Sequence, residues 1–109
     1  MPEPTVPQVF GSNANQTDLI LEIKKADLAT VGLTPNANNT AESMFVALLL
    51  LNRQHLNTDN QANDSDIQIT IQDGPESLVE RNGTTYRQRL FYIYLDTPDS
   101  PATLDPNQF

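Results

Sequence analysis

Apolar and polar positions alternate with a period of two in Asp18–Lys25, DLILEIKK. This sets Leu19, Leu21 and Ile23 on one face and Asp18, Ile20, Glu22 and Lys24 on the other. The pattern predicts a strand with one buried face. Asp66–Gln72, DIQITIQ, repeats it more cleanly, with Ile67, Ile69 and Ile71 opposed to Gln68, Thr70 and Gln72. Two further strands, Glu76–Arg81 and Thr84–Asp96, flank Asn82-Gly83, the dipeptide that best accommodates a two-residue turn with positive φ. That turn predicts Arg81 opposite Thr84, Val79 opposite Tyr86, and Glu76 opposite Arg89 as a cross-strand ion pair. The last strand is apolar on both faces, with Phe91, Ile93 and Leu95 against Leu90, Tyr92 and Tyr94. Such a strand is central in its sheet, or one of its faces meets another chain.

One stretch follows a different period. Thr40–Leu56, TAESMFVALLLLNRQHL, is the long apolar segment of the chain. It reads as one helix, capped by Asn39 with Glu42 as reciprocal partner. At 100° per residue, Met44, Phe45, Leu48, Leu49, Leu51 and Leu56 fall in one arc and form the expected core stripe. Val46 and Leu50 fall among the polar residues on the other side. A single sheet covers one side of a helix, so this pair is expected to be exposed in a monomer, unless a loop or arm covers it. Exposed, it is either a partner contact or a tolerated apolar surface.

The connections are turn chemistry. Ala26–Leu33 prolongs the first strand or turns away from it, with a break at Gly32. Thr34–Asn39 and Asp73-Gly74-Pro75 read as turns, and Asn57–Ser65 as a polar loop. The predicted order is therefore β-α-β-β-β, with a right-handed parallel crossover followed by an antiparallel meander. The expected fold is α+β: one helix packed on a mixed four-stranded sheet that ends in a C-terminal β-hairpin.

Proline marks the limits of this body. Pro2, Pro4 and Pro7 cluster at one end and Pro98, Pro101 and Pro106 at the other. Residues 1–17 and 97–109 are expected to be extended arms around a single domain at residues 18–96. Both arms carry isolated apolar side chains, Val6, Val9 and Phe10 in the first and Leu104 and Phe109 in the second. A purely solvating tail would not need them.

Composition narrows the function. The 109 residues are 38% hydrophobic, with a mean hydropathy of −0.44. That is enough for one small, marginal core. Net charge is −8, with six Lys and Arg, so nucleic acid and anionic membranes are not expected partners. There is no cysteine, which excludes disulfides and thiolate chemistry. The N-terminal residues lack a basic start and an apolar core, so no secretory leader is expected. The apolar run Met44–Leu51 is far too short to span a membrane.

Candidate chemistry is sparse. His55 is the single histidine, near a helix end where it suits the dipole. Asp59, Asn60, Asn63, Asp64 and Asp66 gather oxygen ligands in one loop but lack the central Gly and terminal Glu of an EF-hand. The four glycines form no phosphate-binding cluster. Arg81, Arg87 and Arg89 concentrate on one hairpin, placed to pair with acidic neighbours. Asn15, Asn38, Asn63 and Asn82 open glycosylation sequons that an Asn-rich chain yields by chance.

No cofactor, metal or catalytic residue is expected. The sequence instead suggests a non-enzymatic structural assembly protein, a homo-oligomer that binds neighbouring protein subunits through its arms and uncovered apolar faces. Val6, Val9, Phe10, Val46, Leu50, Tyr92, Tyr94, Leu104 and Phe109 are the candidate contact residues. The expected setting is a virion assembled in a host cytoplasm, as a bacteriophage capsid cement or decoration protein, or a head–tail connector or tail-terminator subunit. The alternative is a small dimeric cytoplasmic module that binds a ligand or protein on a tyrosine-bearing sheet face.

Overall fold

The computed structural model describes residues 4–99 and 103–109. The tip of the first expected arm, residues 1–3, and residues 100–102 of the second lie outside the described residues. The elements in order are helix α1 (Val6–Phe10), strands β1 (Asn15–Gln16) and β2 (Leu21–Glu22), a 3-10 helix (Lys25–Val31), helices α2 (Ala41–Arg53) and α3 (Thr58–Asn63), strands β3 (Ile69–Arg81) and β4 (Thr84–Leu95), and a second 3-10 helix (Pro106–Gln108).

The fold class is α+β, but the mixed four-stranded sheet is not formed. Among the described residues β1 pairs only with β2, and β3 only with β4, both antiparallel. Local chemistry explains why DLILEIKK does not reach the main sheet. The Thr17 hydroxyl accepts from the backbone N–H groups of Leu19 and Ile20, and the Thr17 N–H donates to the Ile20 carbonyl. This closes a tight turn that folds Leu21–Glu22 back onto Asn15–Gln16. The chain then leaves the extended region at Lys25 and enters the 3-10 helix, which ends on Gly32 in the left-handed region. No parallel crossover arises. Leu19, expected in the core, is 89% exposed.

Helix α2 forms as its apolar content demands, with a different cap. Thr40, not Asn39, is the N-cap, and its hydroxyl accepts from the Ser43 N–H. Asn39 instead accepts from the Asn36 N–H and donates to the Thr34 carbonyl, bracing the preceding loop. The helix is apolar around most of its circumference because it is covered on two sides. Ala47, Leu51 and Leu48 pack against Leu28 and Val31 of the 3-10 segment and Leu33 just after it. Leu49 packs with Leu56, Ile67, Ile69, Ile71 and Phe91 at the root of the hairpin. The 3-10 segment is thus the second cover that the sequence reading did not supply. Phe45, placed in the expected core stripe, is 69% exposed.

Two expected loops are also structured differently. Asn57 caps α3 by accepting from the Asn60 N–H, so the polar stretch before Ser65 is largely a helix. Asp73-Gly74-Pro75 is not a turn but an irregularity inside one continuous strand, with the register shifting between Asp73 and Glu76. Gly74 permits this bulge. A Cβ there would lie 2.9 Å from the Leu90 carbonyl oxygen. Pro75, which has no N–H to donate, is tolerated at such a break in the ladder.

The hairpin turn follows the sequence reading. Asn82 and Gly83 have φ of 53° and 79°, the double positive φ of a type I′ turn. Arg81 lies opposite Thr84, Val79 opposite Tyr86 and Glu76 opposite Arg89.

Candidate functional site

The β3–β4 hairpin is the feature with the clearest functional consequence. Its two strands hold 13 and 12 residues, a length of about 40 Å at the usual rise per residue. The longest dimension of the molecule is 45 Å, so the hairpin runs nearly its full length. Only the root is covered. Thr70 and Ile71 of β3 are buried, whereas β4 is exposed at every residue except the half-buried Phe91. β3 is the inner strand, held to the body partly by the Ile71 N–H donating to the Leu56 carbonyl. β4 is the outer strand, and among the described residues no strand pairs with its far edge.

Antiparallel register places Tyr86, Leu90, Tyr92 and Tyr94 on one face of β4 and Phe91, Ile93 and Leu95 on the other. Both rows are largely open to solvent. Tyr92 and Tyr94 stand opposite Gln72 and Thr70. The expectation that this strand is central within its own chain therefore fails; it is an edge with two apolar faces.

Charge on the hairpin is arranged close to the bulge. Glu76 holds Arg87 at 3.2 Å and Arg89 at 3.4 Å. Arg53 of α2 pairs with Asp73 at 2.9 Å and stacks over the Phe91 ring. Arg81 stacks on Tyr86, Lys24 pairs with Glu22, and Lys25 donates to the Asn36 carbonyl. Each of the six basic side chains thus has a partner within the chain. Between α2 and the hairpin lies an open groove of about 790 Å³, floored by Val46, Leu49, Leu50 and Phe91 and rimmed by these ion pairs.

The remaining candidate residues are spread over the molecule. Val6, Val9 and Phe10 lie on α1, a capped helix packed on α2 rather than an extended arm, and are half-buried there. Val46 is half-exposed at 50% and Leu50 is more covered. At the other end Gln68 donates its side-chain amide to the Gln108 carbonyl, which brings the C-terminal segment against the root of β3. Leu104 and Phe109 on that segment remain exposed. Sequence reading missed the tip of the small β1–β2 hairpin, where Leu19, Ile20 and Leu21 are all exposed. The signal was available in Thr17-Asp18, a dipeptide well suited to a local turn.

The oxygen-rich stretch near α3 is partly committed to backbone bonding, through Asn60, Asn63 and Asp64. Asn57 and Asn63 bond local backbone groups, and Asp64 accepts from the Asp66 N–H through Oδ1, although its buried Oδ2 has no partner. Among the described residues no three acidic or histidine side chains converge as a metal site, and no helix is long and apolar enough to cross a membrane.

Comparison of the chain with family models, with curated proteins and with solved structures finds no significant match.

Proposed function

We propose that this chain is a non-enzymatic structural subunit of a multi-copy protein assembly, with the β3–β4 hairpin as its principal contact surface. The observation that carries this reading is the outer strand β4, which is long, apolar on both faces from Leu90 to Leu95 and, among the described residues, unpaired along one edge. An isolated two-stranded hairpin is marginal in water, and a third strand or a covering surface is what makes it stable. An exposed edge of this kind is a template for pairing with another chain.

Surface area supports the same reading. A compact monomer of this mass exposes about 6,000 Å², and this chain exposes 8031 Å². The excess, about 2,000 Å², is of the size that stable assemblies bury. The exposed apolar groups point to more than one neighbour: they include the Leu19–Leu21 tip and Phe45 at the start of α2 as well as β4. Contacts in several directions suit a ring or shell better than a closed pair. A virion is the setting we favour, with the chain as a capsid cement or head–tail connector component.

The test is the solution mass of the full chain over a wide range of concentration, alongside a Tyr92→Asp/Ile93→Asp variant. The expected result is a multimer that the paired substitution reduces to single chains. A folded monomer at every concentration would overturn the proposal.

A further inference from the structure

We infer that the first partner of β4 is β4 of a second copy, paired antiparallel about a two-fold axis at Leu90. This rests on the assembly reading above and names the occupant of the open edge. When the same edge of two identical strands pairs about a two-fold axis, the strands run antiparallel, so only the register has to be decided.

Three features of the strand decide it. The first is which backbone groups are available. The residues flanking a two-residue turn exchange hydrogen bonds, so Thr84 is bonded to β3, and so are the alternate residues after it. The odd-numbered residues, Thr85 to Leu95, therefore turn their N–H and C=O groups outward. A two-fold axis at Leu90 sets Thr85 opposite the second copy's Leu95, and uses every outward-facing residue of β4. Axes elsewhere leave one end of the strand unpaired.

The second feature is charge. Arg87 and Arg89 are the charged residues of β4. The axis at Leu90 places Arg87 opposite Ile93 and Arg89 opposite Phe91, so no like charges meet directly. An axis at Arg89 would oppose two guanidinium groups. Arg89 beside an aromatic ring is also favourable in itself, and Glu76 already pairs with both arginines within each copy, offsetting one of their two charges.

The third is the apolar row. On the other face Tyr86 meets Tyr94, Gln88 meets Tyr92, and the two Leu90 side chains meet on the axis. The result is a continuous aromatic and aliphatic strip across both copies. Edge strands that avoid pairing carry Lys, Pro or a bulge. The half of β4 from Phe91 to Leu95 carries none of these, and the bulge lies on β3.

The chain has no native cysteine, which makes the register directly readable. At a non-hydrogen-bonded antiparallel pair the Cα atoms lie about 4.5 Å apart, within the span of a disulfide. Under mild oxidation the full-length Leu90→Cys variant is expected to convert almost wholly to a covalent dimer. The Gln88→Cys variant is expected to stay unlinked, because two copies of that position would be about 13 Å apart along the strands. A mixture of Gln88→Cys and Tyr92→Cys chains should cross-link to each other. All three substituted sites are exposed, and circular dichroism under reducing conditions checks that each variant is folded. Absence of the Leu90→Cys link, or equal linking through Gln88→Cys, overturns the inference. If the chain is still a multimer by mass, the assembly reading stands with a different contact; if it is a monomer, both fail.

Discussion

Leu19 and Leu28 are leucines in similarly polar stretches of the chain, and the fold uses them in opposite ways. Leu28 is 2% exposed and sits at the centre of the cluster that covers one side of α2. Leu19 stands at the tip of a tight turn. Replacing Leu28 by Ala is expected to cost about 2–5 kcal/mol, whereas Leu19→Ala stays within about 0.5 kcal/mol. Urea unfolding of the two variants beside the parent chain measures both. Local turn chemistry made some positions legible from sequence: Asn82-Gly83 fixed the register of the hairpin and with it the Glu76–Arg89 pair. Leu28 was not legible. A 3-10 helix repeats every three residues and is short, so it leaves neither the period of a strand nor that of an α-helix in the residue pattern. The candidate contact residues divide in the same way. Tyr92 and Tyr94 lie on the open strand, while Val6, Val9 and Phe10 are half-used by the packing of α1.

Whole elements were read correctly where one signal governed them. α2 follows from its apolar density, and β4 from its β-branched and aromatic content before Asp96. β3 was broken in two by reading Asp73-Gly74-Pro75 as a turn, which those residues favour in isolation. What overrides that preference is cross-strand pairing on both sides of the bulge, from Ile69–Leu95 to Arg81–Thr84. The long-range joining of the small hairpin to the main sheet was wrong for a related reason. Alternation shows that a segment suits a strand but not which strand it pairs with. The bulge gives a sharp test. A Cβ at position 74 would approach the Leu90 oxygen to 2.9 Å and the Leu90 Cγ to 3.0 Å. Both lie on the facing strand, and the oxygen is backbone that cannot swing aside. Gly74→Ala is expected to destabilise the hairpin by about 1–3 kcal/mol. Amide exchange should show the loss concentrated between Asp73 and Phe91, with α2 protected as before.

At the scale of the molecule, the chain has the proportions of a part. Its radius of gyration is 16.3 Å, against about 13 Å for a compact domain of this length. Among the described residues, the buried apolar side chains fall into two small clusters on either side of α2. A net charge of −8 adds self-repulsion that a compact monomer would have to overcome. Little hydrophobic stabilisation is therefore available within one copy, and much of the apolar surface that could supply it lies on β4. If assembly supplies the remainder, folding and association are linked, and the thermal midpoint must depend on concentration. For a dimer, each tenfold dilution removes about 1.4 kcal/mol from the folded state. With the usual unfolding entropy per residue, that lowers the midpoint by about 3 °C. Scanning calorimetry across a dilution series is expected to show this drift in the parent chain. The Tyr92→Asp/Ile93→Asp variant should show a lower midpoint that no longer moves with concentration. A parent midpoint independent of concentration would mean that the exposed hairpin contributes nothing through assembly under those conditions. The two small clusters around α2 would then have to hold the fold on their own.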